Sequence, residues 1–467
     1  MSNIEPEKNS NIELLLGDHK RAIKQLAWPM MVSMFLIMAY NLADSIWVAG
    51  LGADALAAIG FTSPLFMIII GIGTGIGAGA NSLITRFIGA DNYKQANNTA
   101  VHSLVLTVII SVLGAILMCV FLPNILIAMG AGSSLQMALD YGYIVFGLMI
   151  VFIYSQVATA ILRSEGDVKR EMYAIAVTAV LNIILDPIMI YVMGMGIKGA
   201  AYASVISSFI SCLVLLYWIH YKKDTYMDVS FKNFHYERKI ITGILNISIP
   251  SIVEDLIFSV ISIFANWMLV VTSGTIAVAS FTAALRLIEL ADIPLIGLGT
   301  ALLSVAAAAY GASKYEKVKN AYIYTLKLGL IMTTAMVVIL FVFAPQFSML
   351  FAYSSSVTLA PYITEIIRIL TIFIYSLCLG AISAMLFQGV GKGITSLFIT
   401  IIRAIVGEVI LAYFFCMILG WGAYGVYIGI TLGGLIGGFV SLGWAILYLK
   451  RLIKNYKADP DIVDENI

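Results

Sequence analysis

Residues 171–193 read EMYAIAVTAVLNIILDPIMIYVM, an apolar run that is long enough to cross a lipid bilayer as a helix. Within this run a side-chain amide, Asn182, and a carboxylate, Asp186, stand four residues apart, and Pro187 follows. A charge at the centre of a bilayer costs roughly 3 kcal/mol or more, so it is retained mainly where it has a function. The pair of oxygen-bearing side chains therefore indicates a cation site inside a membrane helix.

The rest of the chain has the composition of a membrane protein. Hydrophobic residues make up 61% of its 467 positions and charged residues 11%, against roughly 25% charged residues in soluble domains. The net charge of +1 gives no indication of nucleic acid or of any other polyanionic partner. Residues 1–24 are polar and of mixed charge, so we expect no removable signal peptide.

Twelve segments are predicted to span the membrane, because each offers about 20 mostly apolar residues. They lie near residues 26–50, 54–85, 97–121, 135–162, 171–193, 199–220, 244–273, 277–311, 319–344, 358–388, 393–418 and 422–449. Lysine and arginine concentrate in the tails and in the loops of one side, whereas the loops of the opposite side hold just Lys198. By the positive-inside rule, both termini are predicted to be cytoplasmic.

The two halves of the chain repeat each other. Residues 89–94 echo residues 311–316, residues 194–199 echo residues 420–425, and Pro29 corresponds to Pro250, with offsets between 221 and 226 residues. Because six spans are an even number, the repeats share one orientation and are expected to be related by an axis along the membrane normal. The predicted fold is an all-α integral membrane protein with two six-helix bundles around a central cleft.

This arrangement divides the chain into five predicted segments. They are a cytoplasmic tail (1–24), a first bundle (25–220), a cytoplasmic linker (221–243), a second bundle (244–449) and a second cytoplasmic tail (450–467). Pro29 and Pro187 are the predicted helix bends, since proline removes a backbone donor and clashes with the preceding turn.

The order of these motifs resembles the multidrug and toxic compound extrusion (MATE) family, and most closely its DinF-like branch. The resemblance covers nearly the whole chain. It rests on Pro29-Met30 at the start of the first span, Asp44 late in it, residues 162–167 after the fourth span, the Asn182, Asp186, Pro187 set, and residues 388–392 after the tenth span. It implies a Na⁺- or H⁺-coupled antiporter that exports organic cations and amphipathic drugs by alternating access.

The resemblance also implies which residues couple the cation. They are Asp44, Asn182, Asp186, Ser204 and Tyr141, with Na⁺ expected at the first three. Ser204 stands where a threonine is usual, which keeps the hydroxyl group.

Helix geometry places the same residues together without reference to the family. At 1.5 Å per residue, Asp44 lies about 27 Å and Asp186 about 24 Å from the inner ends of their spans. Tyr141 and Ser204 lie only about 8–9 Å from the outer ends of theirs. We therefore expect one cluster in the outer half of the first bundle, where two carboxylates in a low dielectric resist ionising together and a proton can substitute for a metal cation. The alternative is that Asp44 caps a helix end and Asp186 merely bonds to Asn182 as structural glue.

The second half lacks both aspartates and carries other charges at membrane depth. Its candidate substrate-cleft residues are Glu254, Asp255, Arg286, Glu289, Asp292 and Glu408. With Arg403, the deep charges of the whole chain comprise seven acidic and two basic residues, an excess that attracts cations. The other interpretation is a set of buried ion pairs that fix helix packing, which we favour for Arg286 with Glu289.

The sequence also limits the function classes. Glycine-rich residues 71–79 lack the Lys-Ser/Thr of a phosphate loop and are expected to allow close helix packing, so ATP-driven transport is not expected. An intramembrane enzyme would need a metal-binding or nucleophile motif, and we predict neither an enzyme nor a cofactor. The alternative function is a lipid-linked precursor flippase of the same superfamily, which the excess of acidic residues disfavours. We expect a monomer in the plasma membrane of a prokaryote, with lipid and small amphipathic or cationic molecules as its partners.

Overall fold

The computed structural model describes residues 5–222, 225–230, 234–351 and 360–458, and every regular element in these ranges is helical. The α-helices are α1 (Glu5–Leu16), α2 (His19–Ala49), α3 (Ala53–Gly89), α4 (Tyr93–Ala128), α5 (Leu135–Gly147), α6 (Met149–Ser164), α7 (Val168–Pro187), α8 (Ile197–Leu216), α9 (Arg238–Gly311), α10 (Tyr315–Val342), α11 (Ala344–Phe351), α12 (Ala360–Thr371), α13 (Phe373–Gly389), α14 (Gly393–Ile401), α15 (Ile410–Tyr413) and α16 (Ala423–Ala458). Residues 1–4, 223–224, 231–233 and 459–467 of the predicted tails and linker, and residues 358–359 of the tenth span, lie outside the described residues.

Four helical segments are wound as π-helix. They are Ile188–Val192, which continues α7; Tyr217–Lys222, which continues α8; Ile402–Val409, between α14 and α15; and Phe414–Ile418, which continues α15. A π-turn holds one more residue than an α-turn and often marks a functional site.

The described helices account for the predicted spans. Ten helices are long and apolar enough to cross a membrane, and α5 with α6, bent by 46° at their junction, makes an eleventh. The 74 residues of α9 would form a rod of about 110 Å, several times the thickness of a bilayer core. Gly274, with φ 76°, breaks α9 into two helices. This count is consistent with the twelve predicted spans, while the orientation of the termini stays a prediction.

The backbone repeats between the halves at the loops that the sequence singled out. Asp91 and Ser313 are the only non-glycine residues with positive φ in the described ranges, at 56° and 55°. Gly194 and Gly420, at φ 65° and 72°, occupy matching turns. The π-segments Ile188–Val192 and Phe414–Ile418 are also equivalent. The echoes in the sequence therefore reflect a structural repeat.

Packing divides the chain into two compact units. The first unit comprises Met1–Gly17 and Trp28–Ile252, and the second comprises Asp18–Ala27 and Val253–Ile467. The domain limits inferred from the sequence stay predictions, because packing units and bundles of spans are defined differently.

Glycines 71–79 of α3 pack closely against two neighbouring helices of the first unit. A Cβ at Gly73 or Gly77 would lie 3.1 Å from α6 side chains, and one at Gly79 would lie 2.5 Å from the carbonyl oxygen of Ile244 on α9. The structure thus gives this glycine-rich stretch a packing role within a membrane helix.

Candidate cation site

The α7 helix brings an amide and a carboxylate to one buried face. Asp167 caps the start of α7 by accepting the backbone N–H of Arg170. Fifteen and nineteen residues further on, Asn182 and Asp186 are 1% and 0% exposed, one helical turn apart. The Asn182 Nδ2 lies 3.5 Å from Asp186 Oδ1 and 3.2 Å from Ser204 Oγ of α8, so a single amide group connects the two other side chains.

Three oxygens of this cluster have no hydrogen-bond partner. They are Asp44 Oδ1, Asn182 Oδ1 and Asp186 Oδ2, and each is inaccessible to solvent. A buried polar atom without a partner costs roughly 1–3 kcal/mol, and more if it is charged. All three atoms are acceptors, so a cation or a proton is the ligand that satisfies them together.

Asp44, on α2, belongs to the same cluster. Its charge acts on both the Asp186 carboxyl and the Tyr141 hydroxyl of α5. Tyr40, one turn before Asp44, also lies within electrostatic reach of Tyr141. The sequence analysis missed Tyr40, although its i, i+4 spacing from Asp44 placed it on the same face. The five predicted coupling residues are thus brought together in the first unit.

The two prolines lie in different helical contexts. Pro187 is the last residue of α7, and the π-segment Ile188–Val192 follows it directly. Pro29 lies inside α2, which runs unbroken from His19 to Ala49, and its carbonyl accepts the hydroxyl of Ser33 at 2.9 Å. Bending at either proline stays a prediction.

The second unit buries its charges as an ion pair. Arg403 Nη1 lies 2.6 Å from Glu408 Oε1, and the two side chains are 7% and 2% exposed. Arg403 and Glu408 are the fourth-last and last but one residues before the end of one long span to carry such charges together, and both lie in the π-segment Ile402–Val409. In an α-helix residues five apart point about 140° apart, whereas a π-helix pairs residue i with i+5. The π-winding therefore makes this pair possible.

Two further carboxylates lie within electrostatic reach of Arg403. Its charge acts on Glu254 and Asp292 as well as on Glu408. Gln388 Nε2 donates to Glu254 Oε2 at 3.2 Å, while Glu254 Oε1 and Asp292 Oδ1 are buried without a partner. We call Arg403, Glu408, Glu254 and Asp292 the arginine cluster. It holds three carboxylates and one guanidinium.

The remaining predicted cleft residues lie apart from this cluster. Arg286 and Glu289 form their i, i+3 pair at 3.3 Å, but their side chains are 66% and 59% exposed. The expectation of a buried packing pair is therefore wrong for these two residues, since each is mostly exposed. Asp255 is also exposed.

The helix that carries Arg403 packs against a row of glycines on α16. Gly425 faces Cys416, Gly429 faces Ala412, Gly433 faces Gly407 and Gly437 faces Arg403, each so closely that a Cβ would lie within 2.6 Å of the facing backbone. We call these four residues the glycine ladder. Its members are four residues apart, whereas the facing residues are separated by four, five and four. The step of five overlaps the π-segment, so the π-winding keeps the two helices in contact.

One buried carboxylate of the first unit lies in a loop outside the spans. Glu165, between α6 and α7, is 3% exposed, and its Oε2 accepts the backbone N–H of Tyr226 at 2.5 Å. Burial raises the pKa of Glu165 from its ordinary value of 4.5 to about 8. The neighbouring turn glycines Gly166 and Gly391, with φ 81° and 79°, are equivalent, so Val390 is the counterpart of Glu165.

Comparison with known proteins agrees with this geometry. The MatE family model matches residues 29–188 and again residues 250–414, so that one model covers both halves and most of the chain. The chain belongs to the MatE family. MatE proteins are membrane transporters, and this one is a multi-pass protein of the plasma membrane. Its membership of the DinF-like branch stays a prediction.

Individual MatE relatives align over most of their length. The probable multidrug resistance protein YoeA of Bacillus subtilis is 28% identical over 335 residues, which cover 70% of this chain and 71% of the relative. The FAD transporter of Shewanella oneidensis is 28% identical over 344 residues, covering 73% and 76%. A solved outward-facing multidrug resistance MATE transporter of the MOP superfamily is 38% identical, with a TM-score of 0.92, covering 95% of this chain and 98% of that one.

Proposed function

We propose that this transporter is a multidrug exporter that couples the efflux of cationic and amphipathic compounds to the entry of Na⁺ or H⁺. The observation that carries the proposal is the set of three unpartnered oxygens on Asp44, Asn182 and Asp186. Oxygen ligands suit a hard cation such as Na⁺, and a carboxylate accepts a proton equally well. The names of the relatives support drug efflux as the process that this cation drives.

Coupling requires that the cluster changes shape with its ligand. Without a cation, the carboxylates of Asp44 and Asp186 repel each other, and binding of Na⁺ or H⁺ removes that repulsion. Because Asp44 lies on α2 and Asp186 on α7, the ligand draws two helices together. A bend of α2 at Pro29 would transmit this change and release the substrate to the outside, and return to the inward-facing state would follow substrate loading from the cytoplasm or the inner leaflet.

The acidic residues of the second unit supply the selectivity for cationic cargo. Asp255 and Glu289 are exposed, and the three carboxylates of the arginine cluster exceed its single guanidinium. A surface with surplus negative charge raises the local concentration of cations. The same surplus disfavours the flippase alternative, because a lipid-linked pyrophosphate needs basic partners.

The test is dye efflux in inverted membrane vesicles under an imposed Na⁺ or H⁺ gradient. Wild-type protein is expected to accumulate an ethidium-like dye in the lumen only when one of the gradients is present. Asp44→Asn keeps the size of the side chain and removes its charge, so it is expected to abolish the gradient-dependent part. Asp54→Asn is the matched control, since Asp54 accepts the hydroxyls of Ser133 and Ser134 outside the cluster. Gradient-driven efflux by Asp44→Asn at the wild-type rate would refute the coupling assignment.

A further inference from the structure

We propose that Arg403 is a tethered cation: its guanidinium fills, in the second unit, the place that an exchangeable cation takes in the first. This inference rests on the proposed cation coupling of the first unit. It assigns a guanidinium-binding site to Glu408, Glu254 and Asp292, a site that becomes vacant when the arginine side chain is removed.

The repeat places the two clusters at equivalent positions. The halves match at an offset of 226 residues at the outer ends of their helices, where Ile188–Val192 corresponds to Phe414–Ile418. Counted back from there, Ala412 stands at the position of Asp186 and Glu408 at that of Asn182. The second unit therefore keeps an oxygen-bearing side chain at one of the two α7 positions and loses the carboxylate at the other.

The charges around Arg403 are those of a cation site. Glu408 binds the guanidinium directly at 2.6 Å, and Glu254 and Asp292 lie within its field. Glu254 Oε1 and Asp292 Oδ1 are buried acceptors without a partner, as Asp44 Oδ1 and Asp186 Oδ2 are in the first unit. Both clusters thus consist of acidic and neutral oxygens, and they differ in that one of them contains its own cation.

The space for the guanidinium is created by two glycines. A Cβ at Gly380 would lie 2.6 Å from Arg403 Cδ and 2.7 Å from its Nε, and one at Gly437 would lie 2.4 Å from its Cα. Shortening Arg403 to alanine therefore leaves a slot that has the width of a guanidinium and is lined by carboxylates. Free guanidinium has the shape and charge to enter that slot.

The experiment is chemical rescue of purified Arg403→Ala in detergent, read as the unfolding temperature against guanidinium chloride from zero to low millimolar concentration. In wild-type protein the slot is full, so guanidinium acts only as a denaturant and the unfolding temperature falls. In Arg403→Ala it binds the native state, so the unfolding temperature starts lower and rises with the logarithm of the concentration. The effect of guanidinium thus has opposite signs in the two proteins.

Two control variants locate the effect. Arg403→Ala with Glu408→Gln lacks the carboxylate that holds the guanidinium, and its unfolding temperature is expected to fall like that of the wild type. Arg286→Ala removes an arginine from an exposed pair with Glu289, and guanidinium is expected to give no rise there either. A fall in Arg403→Ala, or an equal rise in all three variants, would overturn the proposal.

Two further measurements keep the proposal testable. If Arg403→Ala does not fold, Arg403→Lys keeps a tethered charge and Arg403→Met keeps only the volume, so the lysine variant must unfold at the higher temperature. Equal temperatures would refute a role for the cation. Rescue is measured without a gradient, and it is expected to persist when Asp44→Asn is added. A failure of rescue is therefore distinct from a failure of coupling in the vesicle assay.

Discussion

The two units bury charge in opposite ways within one repeated framework. In the first unit, Asp44 and Asp186 stand among neutral polar groups, and the one charge that acts on Asp186 among the described residues is that of Asp44. In the second unit, Glu408 is paired at 2.6 Å with a buried arginine. A carboxylate without a fixed partner depends on a mobile ligand, whereas a paired one does not. The difference teaches that the same scaffold holds an exchangeable cation site in one half and a permanently neutralised one in the other.

The largest effect is expected from Asp186→Asn in the first unit. The change removes one of the two carboxylates that hold the cation, so gradient-driven dye efflux is expected to fall at least about tenfold, the consequence of losing roughly 1.4 kcal/mol of cation binding. Stability is expected to stay the same or to rise, because an uncompensated buried carboxylate is removed. Dye efflux in vesicles and thermal unfolding in detergent measure the two quantities.

Asp140→Asn is the matched control for this variant. Asp140 pairs with Lys198 at 3.4 Å in the same unit, and both side chains are partly exposed. Its neutralisation is expected to leave efflux intact. If Asp140→Asn and Asp186→Asn reduce efflux equally, the first unit has no specialised carboxylate and the contrast between the halves fails.

The next largest effect is expected from Arg403→Met in the second unit. Removing one partner of a buried ion pair leaves the other charge uncompensated and typically costs about 3–5 kcal/mol. Arg286→Met breaks an exposed pair, which is worth at most about 1 kcal/mol. Chemical or thermal unfolding of the two variants compares these losses. Similar losses would contradict a special role for the buried arginine.

A smaller effect, which depends on pH, is expected at Glu165 of the first unit. Its pKa is about 8 in the folded protein against an ordinary 4.5, so the protonated form is favoured by folding. The stability that Glu165 contributes is fully present below about pH 4.5 and is lost as pH rises through about 8, at a rate of at most about 1.4 kcal/mol per pH unit. Glu165→Gln is expected to remove this dependence, as measured by unfolding temperature from pH 4 to pH 9. An unchanged pH profile would show that the loop carboxylate is not the titrating group.

The smallest effect is expected at Ser204. Ser204→Ala removes the hydroxyl that accepts the amide of Asn182 at 3.2 Å, which costs about 1 kcal/mol and weakens cation binding several-fold. Ser204→Thr keeps the hydroxyl, so it is expected to behave like the wild type. The cation concentration that gives half-maximal efflux distinguishes them. A threonine variant as weak as the alanine variant would show that packing, rather than the hydroxyl group, matters at this position.

Much of this architecture was predictable because it follows from hydropathy and helix geometry. The apolar runs located the helices, and the offsets between echoed motifs predicted the repeat that Asp91 and Ser313 display in their backbones. Distances counted along straight α-helices brought Asp44, Asp186 and Tyr141 together. That reasoning works where the helices between the residues are regular.

The arginine cluster was harder to predict because it depends on an irregular helix. Arg403 and Glu408 are five residues apart, a spacing that an α-helical pattern places on different faces, and only the π-segment makes them partners. Arg286 and Glu289 illustrate the opposite error. Their spacing predicted the pair correctly, but spacing along one helix carries no information on whether a neighbouring helix covers it.

The uneven spacing opposite the glycine ladder has an evolutionary consequence. The halves are offset by 225 residues at Gly166 and Gly391 and by 226 at Gly194 and Gly420, so the second copy of the helix between them has one residue more than the first. In a regular α-helix one inserted residue would rotate everything beyond it by about 100° and move Ala412 and Cys416 off the ladder. The π-segment absorbs the insertion locally. A duplicated helix was thus able to gain a residue, and with it a new pairing of charges, while the partner helix kept its original contacts.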